Sequence, residues 1–156
     1  MNRTVGRVVG VGLLVGFLLN LTGWLGNNFL LGGMWRSVAI PDAYVAWRES
    51  PWRDAFSFLP DFVYGLGIAW FYVASRSWFK SWSTCALSAG LFVAAMGGLT
   101  TYFAVANSGF IPWPLALASF ALVLATKLPL ALVAGRLLEP HARLKTDQYS
   151  AAPRQQ

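Results

Sequence analysis

The sequence predicts an all-α integral membrane protein: a bundle of four transmembrane helices with a short interfacial helix in the first outer loop. Three observations carry this. Only 12% of the 156 residues are charged and 56% are hydrophobic, whereas a soluble domain carries about 25% charged residues. The apolar residues fall into four long blocks instead of recurring at amphipathic spacing, as in membrane helices. The basic residues stand at the ends of those blocks, where Lys and Arg set membrane orientation. The net charge of +6 is therefore no sign of nucleic-acid binding, which needs Lys and Arg clustered on one face.

The first block, residues 5–31, reads "VGRVVGVGLLVGFLLNLTGWLGNNFLL". A secretory signal has an apolar core of about 7–15 residues and a small-residue cleavage site. This block is longer and lacks an A-x-A site, so it is expected to stay as a transmembrane helix. The second block spans residues 55–74, the third 84–106 and the fourth 111–138. At ~1.5 Å per residue, ~20 helical residues cross a ~30 Å hydrocarbon core, and all four are long enough. They do not alternate as strands of a membrane barrel would. Residues 1–138 thus form the membrane domain, and 139–156 form a polar tail expected to be mobile.

Orientation follows from the short connections. Arg3, Arg7, Arg76, Lys80, Arg136, Arg143, Lys145 and Arg154 share one side, eight in all; Arg36, Arg48 and Arg53 make three on the other. Both termini are accordingly expected in the cytoplasm, in a bacterial inner membrane. A reporter fused after Gln156 should be active only if it works in the cytoplasm; activity of a periplasmic reporter there would refute this orientation.

The longest connection, "GGMWRSVAIPDAYVAWRESPWRDAF", lies on the outer side. Asp42, Glu49 and Asp54 balance its three arginines. Pro41 is suited to opening a short helix that shows Tyr44 and Trp47 to the headgroup layer. Trp35, Trp47 and Trp52 are the candidate contacts for a membrane-protein partner or a second copy, or else anchor the loop in headgroups. Trp78 and Trp82 mark the opposite interface.

Polar groups at membrane depth carry the functional information, because lipid cannot satisfy them. They are Asn20, Thr22, Asn27 and Asn28 in the first block, Asp61 and Tyr64 in the second, Thr100, Thr101 and Tyr102 in the third, and Thr126 and Lys127 in the fourth. By depth, Asn20, Thr100 and Lys127 are expected to face one another. A lysine at a helix centre costs about 2.5–3.5 kcal/mol on insertion scales, and Arg136 stands roughly 13 Å further along the axis. Pro129 cannot donate to the carbonyl of Ala125 and tends to kink the helix. Asp61 follows Pro60 and is expected in a first helical turn, where the dipole favours a carboxylate. It lies roughly 12 Å from Lys127 in depth, a gap narrowed by the lean of a lysine toward its helix N-terminus. Small residues at four-residue spacing, Gly6 and Gly10, Gly12 and Gly16, and Ala86, Gly90, Ala94 and Gly98, predict close helix approach.

Several chemistries are excluded by composition. Lone His141 lies past the fourth block, leaving no axial pair for a haem, no zinc ligand set and no buried base for a nucleophile. Cys85 is the only cysteine, so neither an internal disulfide nor a dithiol motif is possible. No phosphate-binding glycine loop occurs. No cofactor, metal or catalytic residue is expected.

"GLLVGFLLNLTGWLGNNFLLGGMW" and "DFVYGLGIAWFYVASR" resemble a loose group of uncharacterised small bacterial membrane proteins with four spans. The resemblance implies a four-helix bundle in the inner membrane and transfers no catalytic residue; Lys127 departs from the group's pattern. The expectation is a non-enzymatic membrane protein, an accessory or structural subunit of a larger complex. The alternative is a small transporter or a lipid- or quinone-binding protein using Asn20, Thr100, Lys127 and Asp61.

Overall fold

The computed structural model describes residues 3–38 and 52–150. Helix α1 (Arg3–Leu25) runs into a π-helical turn (Gly26–Leu30), and the one-turn α2 (Gly32–Arg36) follows. Helix α3 (Arg53–Ser75) ends in a tight turn (Arg76–Trp78). Helix α4 (Trp82–Ala94) continues through a second π-helical turn (Ala95–Leu99) into α5 (Thr100–Asn107), and α6 (Trp113–Ser150) closes the bundle. There is no strand among the described residues.

Four segments are long and apolar enough to cross a membrane: Val5–Leu30, Phe56–Trp78, Trp82–Asn107 and Trp113–Pro140. Many of their large side chains point outward. Phe29 is 76% exposed and Trp78 81%, an apolar exterior suited to lipid. The first span packs on the second and fourth, the third also packs on both, and the second and fourth touch across the middle.

Small residues make this packing possible. A Cβ on Gly65 would lie 2.3 Å from the carbonyl oxygen of Gly12 and 2.4 Å from the nitrogen of Gly16, so the first two spans meet backbone to backbone. On the third span Ala86, Gly90, Ala94 and Gly98 are all buried, with Gly90 against Ala131 and Gly98 against Val123. Gly6 and Gly10 meet nothing within 4 Å, so that pair is not part of the packing. The last two spans are joined by a tight turn in which Phe110 N–H donates to the Val105 carbonyl and Gly109 N–H to that of Ala106. Gly109 there takes φ of 78°, the left-handed step of a Schellman cap, which glycine enters without steric cost.

Two expectations need correction. Helix α3 begins at Arg53, so Asp61 lies more than two turns inside it and not in a dipole-favoured first turn. The chain also does not leave the bundle at residue 139. Helix α6 continues to Ser150, and Glu139 is 5% exposed because Arg76 and Tyr72 capture its carboxylate. The expected interfacial helix after Pro41, and Trp47 with it, lie outside the described residues.

Candidate functional site

Two apolar clusters hold the bundle, and a polar cavity lies between them. The larger cluster, at the end carrying the termini, includes Val15, Ile68, Tyr72, Ala89 and Ala134. The smaller one, at the long-loop end, joins Ala106, Ile111, Leu115 and Ala116, with Met34 and Trp35 packed against it. At the levels between them every span contributes polar or small residues to a cavity of 210 Å³: Asn27, Asp61, Tyr64, Thr101, Tyr102, Ser119, Thr126 and Lys127 among them. That is several waters' worth of space, suited to a small metabolite more than to a drug-sized ligand.

Helical spacing brings these groups together. Leu19, Gly23 and Asn27 recur every four residues on the first span, and Ser119, Val123 and Lys127 do so on the fourth; all line the cavity. Both π-helical turns contribute to the wall, through Asn27 on one side and Gly97 and Gly98 on the other. A Cβ on Gly97 would sit 2.6 Å from the Tyr64 ring, so glycine there gives the ring its place. Wide turns of this kind recur at functional sites.

Lys127 is the central group. It is 4% exposed, and its Nζ stands 3.9 Å from the centroid of the Tyr64 ring. A desolvated cation–π contact contributes about 2 kcal/mol, offsetting most of the insertion cost of an ammonium. Asp61 lines the same cavity, yet no direct ion pair joins it to Lys127 among the described residues. The Oγ of Ser119, a residue 1% exposed, has no hydrogen-bond partner among the described residues. Thr126 is satisfied on its own helix, donating to the Leu122 carbonyl at 2.9 Å.

The expected cluster is therefore corrected in two members. Asn20 does not face Lys127: its Nδ2 donates to the carbonyls of Gly16 and Phe58, each at 3.1 Å, and clamps the first span to the second. Thr100 is exposed and bonds back to the Met96 carbonyl. Thr101, one position on and about 100° round the helix, lines the cavity instead. The sequence carries a signal for this: from Gly98 of the small-residue strip, steps of three and four reach Thr101 and Tyr102, whereas depth alone points to Thr100. Ser119 had no such signal, being one small residue in an apolar run.

A wider recess of 740 Å³ opens at the long-loop end, lined by Asn27, Asn28, Gly32, Trp35, Arg36, Ser57 and Tyr102. Asn27 and Tyr102 belong to both spaces, so the recess adjoins the polar cavity. Trp35 is turned toward the bundle, where its Nε1 donates to Asn27 Oδ1 at 3.1 Å. Asn27 Nδ2 in turn donates to the Gly23 carbonyl at 2.9 Å. Trp52 is 67% exposed.

The end with the termini is closed by a second polar group that sequence inspection missed. Arg76 makes a two-pronged contact with Glu139, Nε to Oε2 at 2.7 Å and Nη2 to Oε1 at 2.8 Å. Tyr72 donates its hydroxyl to Glu139 Oε2 at 2.5 Å, and Arg76 Nη1 donates to the Phe79 carbonyl at 2.7 Å. Cys85, buried beside it, lies 3.5 Å from Ser75 Oγ. Arg7 reaches across from the first span to the Leu137 carbonyl at 2.9 Å. The second and fourth spans are thus tied directly at this end, with the first joined through Arg7 and the third through Cys85, while the opposite end holds a recess.

Fold and site together define a multi-pass, four-helix chain built around an asymmetric polar cavity. Comparison with protein-family models, with curated proteins and with solved structures yields no match for it.

Proposed function

We propose that this is a non-enzymatic membrane protein that binds a small polar molecule in the central cavity, in the manner of a small transporter or carrier. One observation carries the reading: a lysine buried to 4% exposure whose ammonium faces a shared cavity with no carboxylate in contact. A purely structural lysine would be expected to bond carbonyls of the bundle. The recess at the long-loop end supports entry from that side, which the eight-to-three basic bias puts outside the cytoplasm. The Arg76–Glu139 group then closes the cytoplasmic end.

The accessory-subunit reading keeps one favourable observation, the exposed Trp52 ring at the long-loop end. Trp35 supports it less, since its indole is occupied by Asn27. Native mass spectrometry of the chain released from mild detergent separates the two. We expect a small molecule bound in stoichiometric amount to the wild type and lost from Lys127→Met, with the variant unfolding no earlier than the wild type because an apolar replacement removes a buried charge. A stoichiometric protein partner, lost on changing Trp47 and Trp52 to alanine and accompanied by no small molecule, would overturn the cavity reading.

A further inference from the structure

We propose that the cavity recognises a zwitterion, a ligand carrying an ammonium and an acidic group a few bonds apart; this deepens the cavity-binding reading and rests on it. Asp61 and Lys127 line one cavity on different spans, with no ion pair between them among the described residues. Opposite charges in a poorly solvated space close into a contact pair when nothing holds them apart, since each alone costs several kcal/mol. Here both are held. Lys127 is drawn toward the Tyr64 face, 3.9 Å away, and sits in a helix whose backbone packs close, its carbonyl 3.3 Å from where a Cβ of Gly90 would lie. Asp61 belongs to the segment that meets the first span backbone to backbone, its carbonyl 3.0 Å from a Cβ position at Gly16.

The ligand's charge pattern follows by elimination. A simple anion would satisfy Lys127 and be repelled by Asp61. A simple cation would do the reverse. A neutral molecule would leave both without a countercharge. A molecule with both signs bridges the two, and the Ser119 hydroxyl, which has no hydrogen-bond partner among the described residues, supplies a further polar contact. The volume of 210 Å³ limits the recognised part to a few heavy atoms beyond the two charged groups. Two sources present that chemistry: a free amino acid, and a zwitterionic lipid headgroup. The second has a place for its chain, because an apolar groove lined by Leu25, Phe29 and Leu30 shares Leu122 with the cavity.

The test uses the purified full chain. In detergent, thermal unfolding and calorimetric titration are run with α-, β- and γ-amino acids and with their N-acetyl and methyl-ester forms. In nanodiscs, unfolding is compared between phosphatidylethanolamine and phosphatidylglycerol. Either a free amino acid or phosphatidylethanolamine should stabilise the protein. Blocking either charge of a free ligand should weaken binding about 10- to 100-fold, the range for losing one charged hydrogen bond. In Asp61→Asn the penalty for N-acetylation should vanish, and in Lys127→Met the penalty for esterification should vanish. If N-acetyl amino acids bind as well as the free forms and Asp61→Asn changes nothing, the site reads an anion only; the zwitterion is overturned while cavity binding stands. If no compound or lipid distinguishes wild type from Lys127→Met, both fall.

Discussion

Glu139→Ala is expected to lower the stability of the folded chain by about 3–5 kcal/mol, the range for leaving one partner of a buried ion pair uncompensated. Glu139 is 5% exposed and accepts from three donors on the second span, two of Arg76 and the Tyr72 hydroxyl. Alanine would strand the guanidinium, which keeps only its bond to the Phe79 carbonyl among these contacts. Glu139→Gln should cost less, since an amide oxygen still accepts from Tyr72 or Arg76. The paired change Arg76→Met with Glu139→Leu should restore most of the loss, because apolar groups of similar volume replace an ion pair at little net cost. Chemical unfolding in detergent, analysed as a double-mutant cycle, measures all three. A Glu139→Ala variant within about 1 kcal/mol of wild type would mean that this contact does not hold the spans together.

The helices were legible because burial in lipid demands long apolar blocks, and no other arrangement satisfies so much backbone without water. The residues facing the cavity were legible only in part. Lys127, Asp61, Tyr64, Thr101, Tyr102 and Asn27 all stand out as polar groups at membrane depth, but depth does not give azimuth. Gly12, Gly16 and Asn20 form one four-residue stripe and meet the second span. Leu19, Gly23 and Asn27 form the adjacent stripe and face the cavity. Which stripe faces which neighbour is a property of the packed bundle. Glu139 was hidden for a different reason. Beside Pro140 and the basic tail it reads as the start of a solvated segment, and only the position of Arg76 on another span reveals that it is buried.

The distribution of contacts along the bundle axis bears on how the cavity works. At the termini end, buried apolar side chains and the Arg76–Glu139 pair pack the interior among the described residues. At the other end, the Trp35–Asn27 hydrogen bond stands between recess and cavity. One side-chain contact is easier to open than a packed cluster with a two-pronged ion pair, so on the proposed binding role exchange is expected from the long-loop end. Exchange to the other side would require the Arg76–Glu139 contact to part.

Gly65→Ala is expected to be the second costly change, at least about 3 kcal/mol, the upper end of ordinary overpacking. The added methyl would stand 2.3 Å from the Gly12 carbonyl oxygen, 2.4 Å from the Gly16 nitrogen and 2.8 Å from the Gly16 Cα. All three are main-chain atoms of a helix, so no rotamer change relieves the clash and the two spans must separate. Separation loosens the Asn20 bond to the Phe58 carbonyl, 3.1 Å long, and van der Waals contact along the interface, which drives helix association in lipid. The same change should weaken cavity binding, because Tyr64 and Asp61 lie within a turn or so of Gly65 on the displaced helix. Gly10→Ala is the matched control. It meets nothing within 4 Å, so replacing a helical glycine should be neutral or stabilising by about 0.5–1 kcal/mol. Unfolding of both variants in detergent decides the matter: if Gly65→Ala and Gly10→Ala unfold alike, the first two spans do not meet backbone to backbone, and Asp61 is not held where the cavity requires it.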